Sequence, residues 1–169
     1  MTDNAIFNAF ERDLIDAARL VLSDGVERLK SRQNLLPTNR HNRSGRNECR
    51  EARDMLTAKL IADYGMLRHE AAVAVLIDAQ GRLIAIEEFP HGRATSVEIR
   101  RRVLAQWIIQ HGASAVLLAH NHPSGDNTPS KADVRLTAEL APWLAAMECE
   151  LVDHLVLNSS DASSIMGGW

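Results

Sequence analysis

The apolar positions of this chain change period several times, and each change marks an element. Phe7, Phe10, Leu14, Ala17, Ala18 and Val21 recur at helical spacing and predict an amphipathic helix near the start. Leu22, Val26 and Leu29 predict a second, shorter helix. Pro37 and Gly45 then break the pattern, and Arg40, Arg43, Arg46 and Arg50 crowd a stretch that reads as an exposed linker over 35–50. Ala52, Met55, Leu56, Leu60 and Ile61 restore the helical period and predict a helix from about Glu48 to Asp63.

After Gly65 the period shortens. EAAVAVLID (70–78) is apolar nearly throughout, as expected of a strand covered on both faces. The turn AQG leads into RLIAIEEF (82–89), which predicts the second strand of a hairpin. VEIRRRVLAQWIIQHG (97–112) predicts a helix with Val97, Leu104, Ala105, Ile108 and Ile109 inward, ended by Gly112. SAVLLA (114–119) reads as a buried strand, and KADVRLTAELAPWLAAM (131–147) as a helix that Pro142 kinks or interrupts. ELVDHLVL (150–157) predicts a last strand. The order helix, β, β, α, β, α, β predicts an α/β (α+β) domain over 48–169 with a mixed sheet flanked by helices. Residues 1–47 then form an N-terminal helical extension and arginine-rich linker.

Composition narrows the function classes modestly. At 46% hydrophobic and 24% charged residues the chain reads as globular rather than disordered. Aromatics at 4% disfavour a surface that stacks bases or sugars. A net charge of −3 gives no global signal for nucleic acid and leaves only a local patch as a candidate. Cys49 and Cys149 form neither a disulfide framework nor a thiolate zinc knuckle. No apolar run approaches the ~18 residues of a membrane span, and no signal peptide opens the sequence, so a cytoplasmic location is the default expectation.

The chemistry concentrates in HNHPSGDNTPSKAD, residues 120–133. A bare H-x-H is weak: in a chain with this many histidines, chance supplies roughly 0.3 such pairs. Requiring Ser130 and Asp133 at their offsets lowers that to roughly one in a thousand, which makes the loop worth reading as a unit. His120 and His122 lie just past a buried strand, and in extended backbone alternate residues point to one side. Turn formers at Pro123, Gly125, Asp126 and Asn127 can swing the next helix back so that Asp133 faces the same point. Two imidazole nitrogens and one carboxylate oxygen make a catalytic zinc set with a fourth position left for water, whose pKa zinc brings down to about 7. Two plainer readings compete. Ser130 and Asp133 match a capping box with no metal involved; or the histidines are ordinary polar residues at a strand end. Thr128 and Pro129 offer an equally good helix start, one that leaves Ser130 and Asp133 to other work. Hydrolysis also needs a general base, for which Glu70, Glu87, Glu88 and Glu98 are all candidates by spacing.

The loop resembles the signature of the RadC-like branch of the JAMM (MPN+) zinc metalloprotease superfamily. HEAAVAVLIDAQGRLIAIEEFPHG is similar to that family's strand hairpin, SAVLLAHNHPSG to its metal-bearing strand and LVDHLVL to its Leu-Asp-His strand, so the resemblance covers about 48–158. It implies a cytidine-deaminase-like JAB/MPN fold with a zinc ion held by His120, His122 and Asp133. It also implies Glu70 as the base and Ser130 as hydrogen-bond donor to the oxyanion. The implied reaction is hydrolysis of a peptide or isopeptide bond, with a protein or peptide, including a ubiquitin-like conjugate, as substrate. Asp153 and His154 look like a structural feature of the family. The first 47 residues show no glycine hairpin of the helix-hairpin-helix kind that such chains often carry, and NSSDASSIMGGW lacks the aromatic-serine finish, which predicts a frayed or altered last strand. A rival reading is a DNA-repair accessory or nucleic-acid-binding protein with a non-proteolytic role, using the arginine-rich linker and Arg100, Arg101 and Arg102.

Overall fold

The computed structural model describes residues 43–90 and 99–169, with side chains from Arg50 onward except Ala52. The two helices expected near the N-terminus, Arg40, Val97 and Glu98 lie outside the described residues. Helices α1 (Arg43–Tyr64), α2 (Arg101–His111) and α3 (Lys131–Ala146) surround strands β1 (Ala72–Ile77), β2 (Leu83–Glu88), β3 (Ala115–Asn121), β4 (Glu150–Leu157) and β5 (Ala162–Ser164).

The strands form one sheet in the order β2-β1-β3-β4-β5. β1 pairs antiparallel with both β2 and β3, β3 pairs parallel with β4, and β5 closes the edge antiparallel to β4. A parallel neighbour needs a crossover, and α3 supplies it between β3 and β4. The continuous apolar run of β1 follows from its place: every residue of it is buried, because both sheet faces are covered. On one face Leu76, Val116 and Leu118 pack with Leu104 and Ile108 of α2 and Leu140 and Leu144 of α3. On the other, Val73, Val75, Ile77, Leu117 and Leu155 pack with Leu56 and Leu60 of α1. Among the described residues no helix is long and apolar enough to cross a membrane.

Several sequence expectations are corrected. The helix expected from Glu48 begins at Arg43, so Arg43, Arg46 and Arg50 belong to α1 rather than to a linker. One glycine, Gly45, costs a helix about 1 kcal/mol without blocking its backbone. Pro142 does not interrupt α3, which continues to Ala146. Leu140 and Leu144, both fully buried on either side of the proline, hold the turn whose hydrogen bond is lost. Ile109 faces solvent at 75% exposure, while Leu104 and Ile108 carry the packing of α2. Gly112 does end that helix, in the left-handed conformation at φ 66°.

The end of the chain is ordered rather than frayed. Asp153 is fully buried on the α1 side of β4. Its carboxylate accepts from the Ser164 hydroxyl and from the N–H groups of His154, Met166, Gly168 and Trp169, at 2.6–3.0 Å. Trp169 in turn donates through Nε1 to Thr57 Oγ1 of α1 at 2.8 Å and lies under the Arg53 guanidinium.

Candidate metal centre

The centre forms where the C-terminal end of β3, the entry to β1 and the first turn of α3 meet. β3 delivers His120 in pairing with Ala72, so the start of β1, just after Glu70, lies beside it. Strand alternation sends the side chains of His120 and His122 one way and that of Asn121 the other. His120 Nε2 and His122 Nε2 are 3.1 Å apart. Asp133 reaches them from α3, with Oδ1 3.5 Å from His120 Nε2 and Oδ2 3.6 Å from His122 Nε2. A carboxylate oxygen of Glu70 and ring nitrogens of both histidines all lie within 4.8 Å of one another. The residues singled out in the sequence are therefore brought together, with Glu87 instead facing His111 at 2.9 Å.

Of the two helix starts the sequence offers, α3 takes the capping box. Thr128 does not cap it; its N–H donates to Asp126 Oδ1 at 2.8 Å within the loop. Ser130 is the cap, its Oγ accepting from the Asp133 N–H at 3.2 Å while its own N–H donates to Asp133 Oδ2 at 2.7 Å. This reciprocal box satisfies two backbone donors where Thr128 would satisfy one. The capping and metal readings of the loop thus describe one carboxylate: the box fixes Asp133 in the orientation that presents it to the imidazoles.

The charge state suits a cation. Burial pushes the His120 pKa down to about 4; Asp133 opposes that shift and His122 adds to it. His120 is therefore neutral at pH 7. Burial raises the Asp133 pKa, but the Ser130 hydrogen bonds and then the two imidazoles outweigh it and hold the carboxyl below its ordinary value. His122 Nδ1 donates to the Asp126 carbonyl at 2.7 Å, so in the neutral ring Nε2 keeps its lone pair for the centre. Bonds of 2.0–2.2 Å to a tetrahedral zinc would separate two ligand atoms by about 3.4 Å. The 3.1 Å between the two imidazole nitrogens, and the 3.5 and 3.6 Å from each of them to a different oxygen of Asp133, lie near that spacing, and the donor set of imidazole nitrogen and carboxylate oxygen is one zinc accepts. The residues present fit the ion.

Sequence reasoning missed Asn121. Its side chain, fully buried, accepts from the Ala71 N–H at 2.7 Å and donates to the Leu67 and His69 carbonyls at 3.2 and 3.1 Å. It grips the backbone on both sides of Glu70. The middle residue of H-N-H therefore ties the segment bearing the carboxylate to the strand bearing the histidines. The alternation that aligned the two histidines was the available signal, since it places Asn121 on the opposite face.

Comparison with known proteins identifies the family of the domain. The RadC-like JAB domain family matches residues 48–168. A "UPF0758 protein" of Polaromonas sp. is 35% identical over 159 residues, 86% of this chain and 71% of that protein. One from Vibrio cholerae is 36% identical over 105 residues, 62% of this chain and 67% of that protein. One from Stenotrophomonas maltophilia is 43% identical over 88 residues, 52% of this chain and 38% of that protein. Several of these relatives extend well beyond the matched region, so the likeness concerns the domain. With its mixed sheet, its flanking helices and a match spanning most of its length, the chain belongs to the RadC-like JAB domain family.

Proposed function

We propose that this domain is a zinc-dependent hydrolase of the JAMM type that cleaves a peptide or isopeptide bond. The observation that carries the reading is the convergence of His120, His122 and Asp133 within 3.1–3.6 Å of one another, with Glu70 beside them. His120 Nε2, His122 Nε2 and an Asp133 oxygen would hold the ion. Zinc there supplies Lewis acidity and brings the pKa of water to about 7. Glu70, half-buried at the edge of the cluster, takes a proton from the attacking water and delivers it to the leaving amine. Ser130 donates its hydroxyl hydrogen to the oxyanion of the tetrahedral intermediate; its cap bond from the Asp133 N–H uses only an Oγ lone pair. The substrate is a protein or peptide, with ubiquitin-like conjugates to lysine as the first class to try.

The test is cleavage of peptide and isopeptide conjugates by zinc-loaded protein. Wild type is expected to cleave, and Glu70→Gln to lose about 10²–10⁴ in kcat with its zinc content unchanged. Failure of the loaded wild type on every conjugate contradicts the reading. Nucleic-acid binding is the alternative, but Arg101 is engaged with Glu139 at 2.8 Å. That alternative requires salt-dependent binding, and a flat isotherm at low salt ends it.

A further inference from the structure

His154 is fully buried on β4, and neither the ligand set nor the proton transfer uses it. Its Nε2 lies 2.9 Å from His120 Nδ1, and its Nδ1 lies 2.8 Å from Thr137 Oγ1 of α3. Thr137 Oγ1 also lies 2.7 Å from the Asp133 carbonyl oxygen, to which it donates. We propose that Thr137 and His154 are positioning residues that fix the tautomer of His120, so that its Nε2 always presents a lone pair to the metal position. The proposal rests on the zinc reading above and adds the device that prepares its most buried ligand.

The proton inventory runs in one direction. A carbonyl oxygen only accepts, so the single Thr137 hydroxyl hydrogen lies toward Asp133. Thr137 Oγ1 then has only lone pairs for His154, and His154 Nδ1 must carry the hydrogen between them. A neutral imidazole holds one hydrogen, so His154 Nε2 accepts, and the donor facing it is His120 Nδ1–H. That leaves His120 Nε2 bare, opposite the bare Nε2 of His122, whose Nδ1–H is fixed by the Asp126 carbonyl. Two lone pairs facing each other at 3.1 Å repel unless a cation lies between them. Both inner rings are buried, which favours the neutral imidazole. Without the relay, His120 is able to place its hydrogen on Nε2, and the ion must then displace it. Outer partners of metal-binding histidines are typically worth 10–100-fold in metal affinity.

Zinc titration and ¹⁵N–¹H NMR of the imidazoles in zinc-free full chain test this. Wild type is expected to show the Nδ1–H tautomer at both His120 and His154. Thr137→Val keeps the shape and removes the acceptor, and is expected to mix the tautomers and weaken zinc binding 10–100-fold. Thr137→Ser restores both readouts. If Thr137→Val does not fold, the His154 pair decides: His154→Gln, whose amide oxygen can stand near the Nε2 position, keeps affinity within a few-fold, and His154→Leu loses it. An Nε2–H tautomer at His120 in wild type overturns the proposal. So does a zinc affinity in Thr137→Val, or in His154→Leu, that matches wild type. A wild type that binds no zinc sinks the hydrolase reading instead, and is told apart because the tautomers are read without metal.

Discussion

Asp153 and His154 are neighbours on β4, both fully buried, and they serve different ends of the molecule. Strand alternation turns Asp153 toward α1 and the chain end, and His154 toward α3 and His120. Around Asp153 the polar groups turn inward: five hydrogen bonds converge on one carboxylate. The network through His154 terminates differently, at nitrogens and a carboxylate that face one another across a gap of ion size. A satisfied buried polar cluster holds a fold together, whereas one that ends in converging ligand atoms is a cluster that could hold a metal ion.

The sharpest way to separate the two regions is to damage the first alone. Asp153→Ala orphans the donors that tie down the chain end, and is expected to cost on the order of 3–5 kcal/mol of folding stability. Zinc bound per folded chain should stay at the wild-type level. Denaturant melts with metal analysis of the folded fraction check this, and loss of zinc from well-folded Asp153→Ala would erase the distinction.

A pH series probes the second region. His120 and His154 are held near 4 and 3, below the ordinary 6.5, so the unfolded chain binds more protons than the folded one once pH falls below 6.5. The stability of metal-free protein should therefore be full above that value and fall with pH toward about 4, by up to about 1.4 kcal/mol per pH unit for each ring. His154→Gln should roughly halve that slope. A stability that is level from pH 7 to 5 would mean that the rings are not buried neutral.

Ser130→Ala gives the smallest effect on folding. Loss of the cap is expected to cost about 1 kcal/mol. If the hydroxyl also serves the oxyanion, kcat falls by about 10²–10³ as well. Stability that drops while kcat holds would confine Ser130 to the helix end.

What the sequence made legible divides along the same line. β4 runs from Glu150 to Leu157 and α3 begins at Lys131, both as expected, because both patterns are local. The convergence of His120, His122 and Asp133 was legible for the same reason: two residues two apart on extended backbone, and one in the first turn of the next helix. The supporting residues were not. Asn121 meets Ala71 across 50 positions, His120 meets His154 across 34 and Thr137 meets His154 across 17. Only the sheet order, with β3 between β1 and β4, brings these partners together. The three-residue β5 is too short and too polar to leave a period, and Ile109 was misplaced because α2 buries a narrower stripe than its apolar content allows.

Under the proposed function, His120, His122 and Asp133 hold an ion. Metal analysis of protein purified without a histidine tag, from cells grown with zinc, tests it most directly. About one zinc per chain in wild type and almost none in the folded His120→Ala/His122→Ala variant is the expected result. Zinc near zero in wild type, or undiminished in the variant, would contradict it.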